Sequence, residues 1–333
     1  MRVLLDHPLP FLLGHGGLQI QIEQTYTALR QADVDVEYCR WWDDSQKPDI
    51  IHYFGRPSIS YVDLAQSKGI RVVMSQLLTG LGSRAAWLLP IQKTTIRLVR
   101  QMGPRMVTSY FAWDVFRKVD AAIALTGWES HLMNYVFDGP KEKIHVVPNG
   151  VEETFFKSPK MPRGQWLVCT ATVTERKRVL ELAEAAVRAK TPLWIVGKPY
   201  SDSDPYARQF LALARSNAQF IRYEGAISDR AQLARIYREA RGFVLLSTME
   251  SLSLSALEAA ACECPLLLSD LPWARTTFGE QARYCPITSP SRSALLLRQF
   301  YDDAPNLKIP LKPPTWPDVA QQFKTIYENL LRM

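Results

Sequence analysis

The sequence has few of the features that mark secreted or membrane-spanning proteins. Its five cysteines are odd in number and form no CxxC pair, so we expect buried free thiols in a reducing compartment, and Cys262-x-Cys264 alone is a weak metal signal. Apolar runs such as 243–246 and 265–268 fall far short of the roughly 18 residues that a membrane span requires. Residues 1–5 are too short for the apolar region of a signal peptide. We therefore expect a cytoplasmic protein.

Glycine is also sparse. The chain has only 16 glycines and they follow no triplet period, which excludes a fibrous chain. The chain has 333 residues, of which 47% are hydrophobic. Its 40 Lys or Arg and 33 Asp or Glu give a formal net charge of +7. This mixture of apolar and charged residues excludes a disordered chain, and at about 150 residues per domain the length predicts two domains.

In the first half of the chain, short β-branched runs alternate with amphipathic stretches. The predicted strands are 3–5, 34–38, 49–53, 70–74, 121–125 and 145–147. A helix is predicted over 18–30. This alternation is typical of a parallel sheet that is covered by helices on both faces.

The alternation restarts near residue 166 and predicts a second doubly wound unit. Its predicted strands are 166–170, 193–196, 220–223, 243–246 and 266–268, and its predicted helices are 179–189, 205–216, 229–240 and 254–262. The stretch 148–164 has no period and is interpreted as the linker, and a last helix is predicted over 318–332. The fold class is therefore α/β, with two facing Rossmann-like parallel sheets and a ligand cleft at the C-terminal ends of their strands.

Two loops at predicted strand ends could contact an anion. Residues 14–17 hold three glycines before a helix, which suits close approach to a ligand, and a tight turn is the equally weighted alternative. The loop is not the GxGxxG fingerprint of dinucleotide-binding proteins. Arg176, Lys177 and Arg178 follow the first strand of the second unit, where they suit a phosphate. Without further context, a solvated run of charges explains these cations more simply.

A third loop carries two carboxylates beside a predicted helix start. Ser251 and Ser253 are both plausible N-caps, and free N–H groups at such a position favour a pyrophosphate. Glu250 and Glu258 would share one broad face if both were helical. Carboxylates repel phosphate, so they are better suited to accept hydrogen bonds from hydroxyl groups at either end of a polar ligand. A sugar nucleotide has this order of groups.

Three motifs, in the right order, resemble those of the retaining GT-B glycosyltransferases of the group-1 family (glycosyltransferase family four). They are Glu250-x7-Glu258 followed by 259–265, which resembles the EX7E signature; 147–151 with Phe155, which resembles the hinge; and Gly16-Gly17, which matches the N-terminal glycine loop. The resemblance covers most of the chain and is strongest over about 120–284. It implies an acceptor-side domain over 1–155, a nucleotide-sugar domain over 156–316, and a C-terminal helix over 317–333 that packs back on the first domain.

The resemblance also implies roles for individual residues. Glu250 would contact the donor sugar and Lys177 the phosphate, and these two are the implied catalytic residues. Glu258 would bind the ribose hydroxyls. The other implied donor contacts are Gly16, Gly17, Arg176, Gly197, Ile227 and the amides of Ser251, Leu252, Ser253 and Leu254. No metal and no cofactor are implied, since Lys177 and the helix amides stabilise the leaving diphosphate.

Four positions depart from the family pattern. Thr172 stands where the family has its phosphate-binding arginine. Ser253 and Glu263 stand where it usually has glycines, and Gln76 stands where it often has a histidine. Arg176 or Arg178 would have to compensate for Thr172, and His15 is the nearest substitute for the missing histidine. These departures leave the expected fold unchanged and bear on catalytic efficiency.

The implied activity is transfer of a sugar from a UDP-, GDP- or ADP-sugar to a hydroxyl acceptor, with retention of anomeric configuration. The acceptor is expected to be a glycan or a lipid-linked molecule in cell-surface glycan or glycoconjugate biosynthesis. Two alternatives stay open. One is a nucleotide-sugar epimerase on the same fold, and the other is a non-catalytic subunit that binds a sugar nucleotide.

The stretch 84–118 contains seven basic residues and one acidic residue. On a helical wheel one face holds Leu88, Ile91, Leu98, Val99 and Met102, and the opposite face holds Lys93, Arg97 and Arg100. One interpretation is a core-facing helix with a solvated basic side. The other is weak, salt-sensitive contact with an anionic glycan acceptor or with anionic lipid at the inner face of a membrane. No nucleic-acid recognition motif accompanies the charge, so nucleic acid is not an expected partner.

Overall fold

The computed structural model divides the chain into two compact units, and it describes residues 1–13, 16–84, 86–103, 110–157, 159, 161–201, 203–287 and 290–332. The first unit comprises Met1–Gly150 and Pro314–Met333, and the second comprises Val151–Pro313. Each unit contains one six-stranded sheet in which every strand pair is parallel. The predicted α/β class with two Rossmann-like sheets is therefore confirmed.

The first sheet has the order β2-β1-β3-β4-β5-β6. Its strands are β1 (Arg2–Asp6), β2 (Asp35–Tyr38), β3 (Ile50–Phe54), β4 (Arg71–Ser75), β5 (Ala121–Ala124) and β6 (Ile144–Val146). Every residue of β3 and β5 is buried, as expected for central strands that are covered on both faces. All six strands lie within two residues of their predicted positions.

Seven helices of the first unit lie in the described residues. They are α1 (Gly17–Gln31), α2 (Ile59–Ser67), α3 (Thr79–Gly82), α4 (Leu89–Met102), α5 (Val115–Lys118), α6 (Gly127–Tyr135) and the C-terminal helix (Trp316–Arg332). Short 3-10 turns occur at Phe11–Leu13, Ala86–Leu88 and Lys141–Lys143. Gly14 and His15 lie outside the described residues.

The C-terminal helix packs against α1 and the first sheet through a buried polar contact. His52 Nδ1 lies 2.6 Å from the Tyr327 hydroxyl, and His52 Nε2 lies 2.7 Å from Ser75 Oγ. A neutral imidazole has one donor and one acceptor nitrogen, so both hydroxyl contacts are satisfied without a charge. Burial lowers the pKa of His52 from its usual 6.5 to about 3.

The start of this C-terminal helix is fixed by a capping box and a close approach. Thr315 N donates to Asp318 Oδ2 at 2.8 Å, and Asp318 N donates back to Thr315 Oγ1 at 3.3 Å. A Cβ at Gly150 would lie 2.6 Å from Trp316 N, so only glycine lets the chain pass this close to the helix start.

The second sheet has the order β12-β11-β10-β7-β8-β9. Its strands are β7 (Leu167–Thr170), β8 (Leu193–Val196), β9 (Ile221–Glu224), β10 (Gly242–Leu245), β11 (Leu266–Ser269) and β12 (Arg283–Cys285). The order reverses between β7 and β10, which lie side by side. Open α/β sheets bind ligands outside the carboxyl ends of their strands at such a reversal.

The described helices of the second unit are α7 (Glu153–Lys157), α8 (Val179–Arg188), α9 (Pro205–Ser216), α10 (Arg230–Glu239), α11 (Leu254–Ala261), α12 (Pro272–Phe278) and α13 (Pro290–Asp303), and the C-terminal helix of the first unit is α14 (Trp316–Arg332). Further 3-10 turns occur at Glu175–Lys177, Gly279–Gln281 and Ala304–Asn306. The sequence analysis predicted α8 to α11 and α14 but not α12, β12 or α13.

The stretch 148–164, interpreted as the linker, contains the boundary between the two units after Gly150, and its described residues also form packed structure. Helix α7 lies within it, and the Phe155 side chain is fully buried beside the Tyr237 ring, with the two ring centroids 6.0 Å apart. The Arg163 guanidinium donates to the Ala240 and Glu263 carbonyls at 2.9 and 2.7 Å, which satisfies backbone acceptors that follow α10 and α11. A five-residue helix is too short to show a period in sequence, although its packing is specific.

The predicted orientation of the basic helix is also wrong. In α4 the buried side chains are Leu89 and Ile96, which were not on the predicted apolar face. Ile91, Leu98 and Met102 of that face are exposed, whereas Arg100 is largely buried. The predicted basic side is therefore partly turned toward the protein, since Arg100 pairs with Asp114 and Asp138 and Lys93 lies over the Tyr135 ring, while Arg97 stays half-exposed.

Four of the five cysteines are buried and Cys39 is half-buried, and all five are free thiols. Burial raises the pKa of Cys169, Cys262 and Cys264 to about 12, so these thiols are protonated at neutral pH. In the part of the chain that the structure describes, no helix has both the length and the apolar character to cross a membrane.

Candidate functional site

Two loops meet at the carboxyl edge of the second sheet, where the strand order reverses. One loop follows β7 and contains the 3-10 turn Glu175–Lys177, and the other follows β10 and leads into α11. Thr248 N donates to the Arg176 carbonyl at 2.9 Å, and Thr248 Oγ1 donates to the same oxygen at 3.2 Å. Because β7 and β10 are neighbours, these hydrogen bonds fix the basic loop against the loop that carries Glu250.

Arg176 and Lys177 converge on Glu250. Lys177 Nζ forms an ion pair with Glu250 Oε1, and Arg176 Nη1 lies 3.4 Å from the same oxygen. Arg176 Nη1 also donates to the Met249 carbonyl at 2.8 Å. Glu250 is buried and Lys177 is largely buried, so this is a partly desolvated cluster rather than a solvated run of charges.

Helix α11 begins directly after this cluster. Ser253 is the N-cap, and its hydroxyl accepts a hydrogen bond from Ala256 N at 3.3 Å. Ser251, Leu252 and Ser253 are buried, and Leu254 is the first helical residue. The first N–H groups of any α-helix have no acceptor within the helix, so the start of α11 is electropositive.

Glu258 lies in the second turn of α11 and has partners of its own. Arg230 Nη2 forms an ion pair with Glu258 Oε1, and the Tyr237 hydroxyl donates to Oε2 at 3.2 Å. Burial raises the pKa of Glu258, and the Arg230 charge opposes that rise. Glu250 lies in the loop, outside the helix, so the wheel that placed both carboxylates on one helical face does not apply.

Gly197 and Ile227 lie at neighbouring strand ends on the same edge of the sheet. Gly197 follows β8 with φ of +149°, and a Cβ there would lie 2.0 Å from the Ala171 carbonyl oxygen. The backbone that follows β8 therefore crosses close to the loop after β7, which only glycine permits. Ile227 is half-buried in the 225–229 loop between β9 and α10.

The remaining predicted contacts, Gly16 and Gly17, lie in the first unit. Gly17 is the first residue of α1 and Gly16 precedes it, so the described part of the glycine loop does lead into a helix start. Of the four departures from the family pattern, Gln76 also lies in the first unit, where its side-chain amide donates to the Leu77 carbonyl at 2.7 Å. Thr172 is half-buried after β7.

Sequence reasoning missed the residues that hold Glu258. Arg230 bridges two carboxylates, because its Nε donates to Glu152 Oε1 at 2.8 Å while Nη2 contacts Glu258. Tyr237 is fully buried, and its hydroxyl lies 2.5 Å from Thr170 Oγ1. One signal was available, since Asp229-Arg230 follows the Ile227 loop directly and places a cation at a helix start, where the helix dipole does not favour it.

Within the described residues, no group of three or more His, Cys, Asp or Glu side chains is arranged to hold a metal ion.

Comparison with known proteins finds a family match over most of the second unit. Residues 164–303 match the family model described as glycosyl transferases group 1. A D-inositol 3-phosphate glycosyltransferase of Jonesia denitrificans is 29% identical over 184 residues, which cover 47% of this chain. The match spans only 42% of that relative's length.

Solved structures resemble the whole chain in fold. A sucrose-phosphate synthase from Thermosynechococcus elongatus superposes with a TM-score of 0.73 at 16% identity, over 99% of both chains. HepE from Anabaena, solved in complex with UDP-glucose, superposes with a TM-score of 0.64 at 13% identity, over 99% of this chain and 98% of that one. The matched segment, the strand order of the second sheet and the fold of the solved structures all agree with a glycosyltransferase. Residues 164–303 of this chain form a group 1 glycosyltransferase domain.

Proposed function

We propose that the protein is a glycosyltransferase that moves a sugar from a nucleoside-diphosphate sugar to a hydroxyl acceptor with retention of anomeric configuration. The observation that carries the proposal is the convergence of Arg176 and Lys177 on Glu250 at the start of α11. Two cations, a helix start and a buried carboxylate together suit a ligand that has a diphosphate next to a polyol.

The diphosphate is proposed to bind between the basic loop and the amides of Ser251 to Leu254. Lys177 and Arg176 would then exchange part of their contact with Glu250 for contact with phosphate oxygens. That exchange frees a Glu250 oxygen to accept hydrogen bonds from the hydroxyls of the donor sugar. Binding of the anion would therefore depend on Lys177 and Arg176, and orientation of the sugar on Glu250.

The nucleoside is proposed to lie along the same strand edge. Glu258, held by Arg230 and Tyr237, would accept hydrogen bonds from the ribose hydroxyls. The backbone near Gly197 and Ile227 would contact the base, and Gly16 and Gly17 of the first unit stay proposed donor contacts. HepE was solved with UDP-glucose, which supports a UDP-sugar as the first donor to test, with GDP- and ADP-sugars beside it.

In the proposed reaction the bond between the anomeric carbon and the diphosphate oxygen breaks, and its electron pair leaves with the nucleoside diphosphate. The acceptor oxygen bonds to the anomeric carbon on the same face, and its proton passes to the departing diphosphate oxygen. Lys177, Arg176 and the helix amides stabilise the charge that develops on the leaving group, which is the work a metal ion does in other transferases. We accordingly propose that the reaction needs no metal and no cofactor.

The test is release of nucleotide from a panel of UDP-, GDP- and ADP-sugars. We expect slow release by the wild type from at least one donor, and about 100-fold lower turnover for Lys177→Ala, as when an enzyme loses one donor to a developing anion. Arg208→Ala is the matched control, because Arg208 is an exposed cation on α9, and it should retain full turnover.

The variants Glu250→Gln and Glu258→Ala distinguish the proposed roles of the two carboxylates. Glu250→Gln should lower turnover with nucleotide affinity kept within about threefold, whereas Glu258→Ala should weaken nucleotide binding about tenfold. Wild-type turnover and affinity in both variants would place the site elsewhere. An epimeric nucleotide sugar as product would indicate an epimerase, and thermal stabilisation by nucleotide without turnover would indicate a binding subunit.

A further inference from the structure

The exposed face of α4 is apolar. The side chains of Ile91, Leu98 and Met102 are 57%, 51% and 82% exposed, and Trp87 in the preceding 3-10 turn is 70% exposed. At 100° per residue the three helical side chains lie within about 40° of one another, and Trp87 precedes Ile91 by four positions on the same line. We call these four residues the α4 stripe.

Contacts made by the polar side of α4 hold the helix in the orientation that turns the stripe outward. Arg100 Nη1 donates to Asp138 Oδ2 at 2.8 Å, and Arg100 Nε lies 3.1 Å from Asp114 Oδ1. Arg97 Nη2 donates to Asp138 Oδ1 at 3.0 Å, and Lys93 Nζ lies 3.9 Å from the centre of the Tyr135 ring. Rotation of the helix to bury the stripe would break these contacts and would also expose Leu89 and Ile96.

The sequence around the stripe carries charge of one sign, and the acids that pair with α4, Asp114 and Asp138, come from later elements. Residues 64–113 contain seven Lys or Arg and no Asp or Glu. Arg84, just before the stripe, is exposed, and the Arg97 side chain is 55% exposed at its flank. An apolar stripe flanked by cations, with a tryptophan at one end, is the pattern of helices that lie in the interface of an anionic bilayer.

We propose that α4 docks the protein on an anionic lipid bilayer by inserting the α4 stripe into the interface. A second copy of this chain fits the surface poorly, since it would place two acid-free basic segments against each other. The proposal differs from electrostatic contact through the basic side of the helix, because Arg97 and Arg100 are already paired with acids. It does not depend on the proposed glycosyl transfer.

The experiment is co-sedimentation of the full chain with vesicles of equal parts phosphatidylglycerol and phosphatidylcholine, compared with vesicles of phosphatidylcholine alone. We expect stronger partition onto the anionic vesicles. Leu98→Ser should weaken partition onto the anionic vesicles about tenfold. The double variant Ile91→Ser/Leu98→Ser should weaken it about 100-fold, since each change removes one inserted apolar side chain. Molar salt should weaken binding without abolishing it.

Leu64→Ser is the matched control, because Leu64 on α2 is 61% exposed and lies outside the stripe. It should bind vesicles like the wild type, and all variants should keep the wild-type melting temperature, since each changed side chain is already exposed. Three outcomes would overturn the proposal: no vesicle binding by the wild type, equal binding by Leu98→Ser, or complete loss of wild-type binding in salt. A wild-type dimer that Leu98→Ser converts to monomers would assign the stripe to a second copy instead.

Discussion

At the scale of single residues, the second unit holds two buried acidic side chains, Glu250 and Glu258, whose partners differ. Glu250 shares one oxygen with two cations that a bound anion can attract, whereas Glu258 is held between Arg230 and Tyr237. The first arrangement can change when a diphosphate binds. The second is a fixed acceptor, since its partners are anchored by Glu152 and Thr170.

The Arg230 charge opposes the effect of burial on Glu258, and this predicts a pH dependence of nucleotide binding. Burial raises the pKa of Glu258 and Arg230 lowers it, so Arg230→Ala should raise that pKa further. If Glu258 binds ribose as a carboxylate, nucleotide affinity falls as pH decreases through its pKa, and in Arg230→Ala the fall should begin at higher pH. Calorimetric titration with nucleotide across pH measures this.

Arg230→Lys is the control, because it keeps a charge beside Glu258, and it should restore a profile close to that of the wild type. At neutral pH we expect about tenfold weaker nucleotide binding by Arg230→Ala. Equal profiles in the wild type and Arg230→Ala would show that Arg230 does not position Glu258 for the ligand.

At the scale of elements, α7 shows how a short helix can matter for stability although its sequence shows no period. Phe155 is fully buried against Tyr237, and the Arg230 guanidinium carbon lies 4.7 Å from the centre of its ring. Because α7 touches both α10 and α11, it connects the elements that carry Arg230 and Glu258.

Phe155→Ala should lower the free energy of unfolding by about 3–5 kcal/mol, as for other fully buried phenylalanines. Phe156 is half-buried on the same helix, so Phe156→Ala is the matched control and should cost clearly less. Urea denaturation of the two variants measures the difference. Equal costs would indicate that α7 is not packed as described.

At the scale of the whole molecule, the end of the chain returns to the sheet built by its beginning. Tyr327 of α14 reaches His52 of β3, and Lys324 Nζ donates to the Ala32 carbonyl at 3.0 Å. The first unit is therefore assembled from two segments that lie far apart in sequence, and its stability depends on a histidine that is buried as a neutral group.

This burial predicts acid sensitivity. His52 has a pKa of about 3 in the folded chain and about 6.5 when unfolded, so between these values the unfolded chain binds the extra proton. The His52 contribution is complete above pH 6.5 and is lost as pH falls toward 3. Its loss should reduce the free energy of unfolding by about 1.4 kcal/mol for each unit by which the pH falls within that window.

Denaturation of the wild type and His52→Gln at a series of pH values isolates the His52 contribution. The variant should be less stable at pH 7 but should have a shallower dependence on pH below 6.5, since glutamine does not titrate. Parallel curves for the two proteins would mean that His52 is not kept neutral by the fold.

The sequence by itself determined the fold class, because short β-branched runs between amphipathic stretches have few ways to bury both faces of a sheet. It also placed Lys177 and Glu250 in loops that follow predicted strands, and Glu258 in the predicted helix after the second of these loops. The partners of those residues were decided by tertiary structure: Arg230 reaches Glu258 only through packing of α10 on α11. The outward face of α4 was decided in the same way. A helical wheel gives two opposite faces, and the burial of Leu89 and Ile96, together with the pairing of Arg100 with Asp114 and Asp138, sets which one turns inward.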